Sequence, residues 1–335
     1  MRNSRFGKPG FALCALLLIL LLLSLACTAF GGVRIPIREV LLSLIGQNGE
    51  GSDLIVMQFR LPRIVAAVLV GAALAVSGTL LQGVVRNPLA SPDLVGVSGG
   101  ASVAVVAFMT LFKGYSIHWI PVIAVAGAFI VAGLNYAFAW SRGVSPMRLV
   151  LIGMGISTAM GALTTFLLIS GPAYLAPQVL NWTTGSIYGT NWTYIEALWP
   201  WLAVFMPLSW LYAKEMDVQS LGDAAAVGLG SRLQLSRLLL LFYSVALAGA
   251  AVGVAGTISF IGLLAPHMAR RIVGRSYRAV IPVSALLGAI ILLLADLAGR
   301  MLFMPLDIPA GVFTAGVGAP FFLFLLFRRR YKLAA

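Results

Sequence analysis

The sequence predicts an all-α integral membrane protein of about ten transmembrane helices. Three observations carry that prediction. First, 60% of the 335 residues are hydrophobic and only 10% are charged, with a mean hydropathy of +0.99. Soluble domains carry about 25% charged residues. Second, ten apolar stretches recur along the chain, at roughly 11–30, 62–84, 94–112, 119–140, 148–169, 194–213, 237–256, 260–273, 279–298 and 310–327. A helix crosses about 30 Å of hydrocarbon in roughly 20 residues. Third, most stretches are dotted with Gly, Ala and Ser, which let helices approach closely where water supplies no driving force. The chain therefore reads as one packed membrane domain over 1–335, with its longest polar connections at 31–59, 170–193 and 214–236.

The first span, nearly uninterrupted from Leu16 to Leu23, has the composition of a lipid-facing helix. It holds both cysteines, Cys14 and Cys27, which form neither a disulfide framework nor a metal pattern. Leu25-Ala26-Cys27 faintly resembles a lipoprotein cleavage site, but Ser24 fits that site poorly and nine spans follow, so the helix is expected to be retained. The second span opens on Arg60-Leu61-Pro62-Arg63, is peppered with Gly71, Ala72, Ala73, Ala75, Ser77 and Gly78, and closes on Gln82 through Ala90. Gly96, Gly99 and Gly100 thin the third span for close packing. The fifth carries Gly153, Gly155, Ser157 and Gly161. Trp182, Tyr188, Trp192 and Tyr194 crowd the connection after it, as an interfacial aromatic belt does, or as a pathway mouth touching cargo would. Arg270 and Arg271 follow the seventh span so soon that the eighth must be short, with part of 250–262 extended or re-entrant. Irregular backbone at membrane depth is tolerated only inside protein or beside a cavity.

A faint internal repeat crosses the chain. Residues 71–79, GAALAVSGT, match 249–257, GAAVGVAGT, and the same offset sets Pro88 opposite Pro266. Five spans separate the copies, so their orientations are opposite. Inverted repeats mark transporters, although Gly and Ala also coincide by chance in apolar helices.

The net charge of +13 would suggest nucleic acid in a soluble protein. No soluble domain exists here to present it. With ten spans and the N-terminus inside, 17 of the 23 Lys and Arg fall on inside segments and 6 outside. The outside set is Arg34, Arg38, Arg60, Arg63, Lys113 and Arg300. The positive-inside rule then makes both termini cytoplasmic.

Several motifs stand in one order: Arg60-Leu61-Pro62-Arg63, Asn87-Pro88-Leu89-Ala90, Phe260-Ile261-Gly262-Leu263 with Pro266-His267, Ala295-Asp296 with Arg300, and Pro309-Ala310-Gly311. In them the chain resembles the FecCD-type permeases of iron-siderophore, haem and cobalamin ABC importers, nearly end to end. The resemblance implies a type II ABC importer permease fold of ten helices in the bacterial cytoplasmic membrane. It further implies a second permease subunit, identical or paralogous, two cytoplasmic ATPases and an extracytoplasmic substrate-binding protein.

In that family, arginines matching Arg60, Arg63 and Arg300 meet glutamates on the binding protein. Guanidinium pairs bidentately with carboxylate, although interfacial arginines also snorkel to headgroups. The inside loop 221–230 contains Leu221, Gly222, Asp223, Ala226, Gly228 and Gly230. Asp223 can cap a short Ala-rich helix that Gly228 or Gly230 ends. Unaided, this reads as an ordinary helical loop; the resemblance implies the coupling helix that receives the ATPase's motion. The loop Ser141 to Arg148 joins spans four and five. The resemblance places the cytoplasmic gate at Pro146 and Met147, where the cobalamin member has small hydroxyl residues. A second departure is Asp307, where many members carry Glu; the charge is kept and little consequence is expected.

His267 is a lone histidine at a cytoplasmic helix end, suited to a structural role and unsuited to holding a metal. Asp296 is a carboxylate well inside a span. Buried acids there are costly and often functional, yet Arg300 lies one turn away and makes an ion pair equally apt. No Gly-x-x-x-x-Gly-Lys-Ser/Thr loop occurs, so ATP and Mg are expected in the partner ATPase, with no cofactor, metal or catalytic residue in this chain. The expected function is ferric-siderophore import, with a largely uncharged passage lined by spans five and ten. Haem or cobalamin import is the alternative. An ion-coupled secondary transporter would need several intramembrane acids, and a membrane enzyme would need a clustered His, Asp or Ser constellation. Neither pattern is present.

Overall fold

A computed structural model describes residues 9–46, 53–112, 116, 118–140 and 145–333. The basic residues Arg2, Arg5, Lys8, Lys113 and Arg142, and the gate-loop residues Ser141 to Val144, lie outside the described residues. The described chain is entirely helical in its regular structure. Ten helices occupy the ten expected spans: α1 (Pro9–Ala29), α3 (Leu61–Val85), α4 (Val97–Leu111), α5 (Trp119–Ala139), α6 (Pro146–Ser170), α8 (Trp192–Leu211), α11 (Leu233–Ala255), α12 (Ile261–Val273), α13 (Tyr277–Met301) and α14 (Ala310–Leu333). Short helices fill the connections: α2 (Ile37–Leu44), α7 (Ala176–Thr183), α9 (Ala213–Gln219) and α10 (Asp223–Gly228). Among the described residues, six helices are individually long and apolar enough to cross a membrane: α1, α3 with the turn before it, α5, α6, α11 and α13.

The small residues set the core. Gly78 of α3 crosses Gly262 of α12 so closely that a β-carbon on Gly78 would collide with the Gly262 carbonyl; Gly71 meets Gly288 of α13 in the same way. Gly78→Ala is expected to cost about 1–3 kcal/mol through overpacking, read as a lower melting temperature in detergent; an unchanged midpoint would contradict this crossing. The repeat is legible in these contacts. Gly71 packs on the ninth span, while its counterpart Gly249 packs on Val125 and Ala128 of the fourth. An inverted repeat of five spans exchanges partners in this manner. The copies part at their ends. Helix α3 continues to Val85, whereas α11 stops at Ala255, just before the counterpart of Gly78.

Helix α3 begins with a π turn, Ile55–Arg60. Pro62 has no amide hydrogen to offer the Gln58 carbonyl, and the ladder widens, with the Leu61 amide donating to Val56. The Trp192 indole donates to the Met57 carbonyl of that turn at 2.9 Å.

The eighth span is short, as the sequence required. Its 13 residues rise about 20 Å, less than the hydrocarbon thickness. The non-helical segment covers 256–260, within the expected 250–262, because α11 stays helical through Ala255. Gly256 and Phe260 both take positive φ, 68° and 69°. Protein covers this segment on both sides. Trp182 closes on Gly256, Gly185 on Thr257, and Gly311 donates its amide to the Gly185 carbonyl at 2.8 Å. Phe260, strained in the left-handed region, lays its ring against Gly318 of α14.

Candidate functional site

Three regions gather the residues singled out by sequence. The first lies at the end of the bundle where α3 begins and α13 ends. Arg63 donates Nε to Asp296 Oδ1 at 2.9 Å, and grips Asp307 with both terminal nitrogens at 2.6 and 2.8 Å. Arg300 pairs with Asp296 at 3.1 Å, one turn along α13. Tyr188 lies under the Arg63 guanidinium at 5.6 Å. The Asp296 side chain is only 1% exposed, and two guanidiniums face it, the pairing that a buried carboxylate needs. The two arginines and two aspartates sum to zero net charge.

Arg60 departs from expectation. It is buried at 7% exposure, and its guanidinium donates to the carbonyls of Thr28 at 2.5 Å, Ala29 at 3.2 Å, and Val33. These cap the C-terminus of α1, where unpaired carbonyls and the helix dipole favour a cation. Its donors face the chain's own backbone, so it offers no free edge to a partner. Asp307, noted in the sequence only for standing where many members carry Glu, is the bidentate partner of Arg63. Chain spacing gives no sign of that pairing, because 244 positions separate the two.

The second region is the pair α6 and α14. Only Leu149 and Gly153 of α6 are buried. Among the described residues, nothing beyond their own helices lies within 4 Å of where a β-carbon on Gly155, Gly161 or Gly316 of α14 would stand. Glycine inside a helix costs about 1 kcal/mol relative to alanine, and no packing among the described residues requires it at these positions. Pro146 begins α6 and Met147 beside it is exposed. Buried Asn135 ties the α6 start to the core, donating to Val95 and Leu149 carbonyls at 3.0 and 3.1 Å.

The third region lies at the opposite end of α3. Six-residue α10 is bracketed by Gly222 and Gly230, both at positive φ, 111° and 84°. Gly222 holds the cap position expected for Asp223. Asp223 starts the helix, and its carboxylate accepts from Arg86 at the end of α3 and from Arg237 of α11 at 2.8 Å. Gly228 ends the helix. Ala226 faces inward, fully buried, while Leu221, Val227 and Leu229 stand 65%, 58% and 66% exposed. Burial opposes the Asp223 charge, but hydrogen bonds and the fields of Arg86 and Arg237 outweigh it and hold the carboxyl below its ordinary range. A depressed carboxyl stabilises the fold above its unfolded pKa and loses that contribution as pH falls through the folded one. The α10 tie therefore holds at neutral pH. Asp223→Asn is expected to speed hydrogen exchange across 223–228 at pH 7; unchanged protection would show the tie to be idle.

Sequence reasoning missed the anchor beside this stub. Asp217 of α9 accepts from the Tyr277 amide and the Ser276 hydroxyl, both at 2.9 Å, capping the start of α13 from a distance. Helix α13 thus runs from α9 to the arginine cluster. The remaining motif residues support packing. Asn87 accepts from the Leu89 amide at 3.0 Å in the turn before Pro88–Leu89. The Gly262 carbonyl accepts from Gln82, whose own oxygen accepts from Arg270 at 2.5 Å. Pro266 is buried within α12, and His267 accepts from Arg271 at 3.2 Å with its ring edge-on to Phe321. Pro309 and Gly311 form the turn into α14, where a side chain on Gly311 would strike the Thr184 carbonyl.

A profile of the FecCD transport family matches residues 16–328. The achromobactin transport system permease protein CbrC of Dickeya dadantii is 45% identical over 337 residues, covering 98% of this chain and 96% of that protein. The Fe(3+)-citrate import system permease protein YfmE of Bacillus subtilis is 42% identical over 319 residues, covering 95% of each. Among solved structures, one described as an inward-facing conformation of a metal-chelate type ABC transporter superposes with a TM-score of 0.85 at 28% identity, over 96% of this chain and 100% of that one.

Proposed function

This chain belongs to the FecCD transport family, and we propose that it is the membrane permease of an ABC importer for ferric siderophores. The observation that carries the cargo is the end-to-end similarity, above 40% identity, to permeases named for achromobactin and ferric citrate. The chain is a multi-pass membrane protein. We place it in a bacterial cytoplasmic membrane with both termini inside, the orientation that the distribution of Lys and Arg favours. The arginine cluster then faces outward and α10 faces the cytoplasm.

In this reading a loaded binding protein docks over Arg63 and Arg300, with Arg60 holding the end of α1 beneath them. A second permease subunit, identical or paralogous, covers α6 and α14, which their own chain leaves open. The passage between the two subunits is lined by the small and hydroxyl residues of α6, among them Gly155, Thr158 and Gly161, with Pro146 and Met147 at its cytoplasmic exit. Such walls hold cargo weakly, as transport requires, since tight binding prevents release. Two cytoplasmic ATPases bind ATP and Mg and hydrolyse the nucleotide. Their grooves receive Leu221, Val227 and Leu229 of α10, and their motion reaches α13 through Asp217. This chain performs no catalysis and needs no cofactor of its own.

Uptake of radioactive iron offered as several ferric siderophores, in cells with and without this chain, tests the assignment. Loss of uptake for one siderophore class is the expected result and would name the cargo. Unchanged uptake of every siderophore, with loss of haem or cobalamin uptake instead, would overturn it.

A further inference from the structure

The pairing of Arg63 with Asp307 bears on how a partner docks, and it rests on the reading that a binding protein meets this end of the bundle. The Arg63 guanidinium is already saturated. Its Nε faces Asp296, and both terminal nitrogens face Asp307. Arg300 is only 10% exposed and leans on Asp296. A partner's carboxylate therefore meets a neutral cluster in which the Arg63 edge is taken, while Nε and one terminal nitrogen of Arg300, although without a hydrogen-bond partner, are buried out of reach. One of the two aspartates must give way before such an edge appears.

The two aspartates are not equivalent. Asp296 sits in the middle of the last turns of α13, at 1% exposure, and engages both arginines. Asp307 is 25% exposed and sits in the non-helical segment between α13 and α14, two residues before Pro309. The four side chains Leu302, Phe303, Met304 and Leu306 beside it are all at least half exposed, so little packing holds this segment down. It is tied to the bundle by the grip of Asp307 on Arg63, by the Ile308 amide donating to the Gly299 carbonyl at 3.3 Å, and by the Phe303 ring against Phe313 of α14 at 6.3 Å.

We propose that Asp307 is an internal stand-in for the binding protein's carboxylate, and that docking proceeds by exchange at Arg63. The partner's carboxylate takes both terminal nitrogens of Arg63, Asp307 is released, and the segment 302–309 is freed at the head of α14. Carboxylate replaces carboxylate, so the guanidinium is never left bare in a partly buried site, where an unpaired charge is costly. The exchange also sets affinity. Asp307 competes for the same nitrogens, and every docking event must displace it. Release of 302–309 carries the event to α14, whose exposed face we assign to the passage.

The test uses the full complex of this chain with its partner permease and ATPase, titrated with loaded binding protein. Asp307→Asn keeps the shape and loses the charge. It is expected to tighten docking by about tenfold, the equivalent of one charge-assisted contact no longer competing, while Asp307→Glu, which restores the competitor, is expected to return affinity to that of the unaltered chain. Unchanged or weaker docking of Asp307→Asn would overturn the exchange. Arg63→Glu separates the two layers. If it leaves docking intact, the docking face itself is wrong; if it abolishes docking while Asp307→Asn gives no tightening, only the exchange fails. Hydrogen exchange on the unaltered complex gives a further reading that needs no variant. Segment 302–309 is expected to exchange faster once the binding protein is docked, and protection there would contradict the release.

Discussion

Asp296→Ala is expected to lower the stability of the folded subunit by about 3–5 kcal/mol, the cost of breaking a buried pair from one side. The residue is 1% exposed and stands between Arg63 and Arg300. Its removal leaves two guanidiniums, 12% and 10% exposed, with Asp307 as the only carboxylate paired with either of them among the described residues. Asp307 faces Arg63 and cannot serve Arg300 from the position it holds. Replacing Asp296 and Arg300 together by leucine removes charge and partner at once, and is expected to cost less than the single change. Thermal unfolding in detergent, followed by tryptophan fluorescence, checks both. A single variant melting with the unaltered chain would show that Asp296 is solvated and the cluster is loose.

Val227→Asp combined with Leu229→Asp is expected to reduce uptake to background while leaving the subunit's own melting unchanged. The two side chains are 58% and 66% exposed, so the folded chain gains little from them. A partner groove that buries them would lose roughly 1.5–3 kcal/mol for each apolar side chain it no longer covers, before the charge is counted. Co-purification of the ATPase with the double variant is expected to fail. Retained co-purification with retained uptake would remove α10 from the coupling path. Ala226, fully buried against the body of the protein, marks the opposite face of the same stub, where substitution is expected to lower melting instead.

Hydropathy and small-residue patterning revealed the ten spans because the bilayer imposes length and composition locally. The short eighth helix was legible for the same reason, since Arg270 and Arg271 fix its end. What the sequence left open was where within 250–262 the backbone leaves the helix, because nothing local distinguishes Gly249 inside α11 from Gly256 at its end; the difference comes from Trp182 closing on Gly256, a contact between distant segments. Helices α2 and α7, eight residues each, lay hidden in connections too polar to carry a span. The charge cluster was half legible. Asp296 and Arg300 are one turn apart, and their pairing follows from helix geometry. The grip of Asp307 on Arg63 and the diversion of Arg60 to α1 depend on which helix ends meet in space, and no periodicity encodes that. Asp217 capping α13 across 60 positions was hidden by the same limit.

The most direct test is transport in proteoliposomes holding this chain, its partner permease and the ATPase, with loaded binding protein on the receptor side and ATP on the other. Accumulation of the ferric siderophore is expected to require ATP hydrolysis, to stop with a catalytically dead ATPase, and to be indifferent to a collapsed proton or sodium gradient. Accumulation that persists without the ATPase and follows an ion gradient would contradict that expectation and make this chain an ion-coupled carrier.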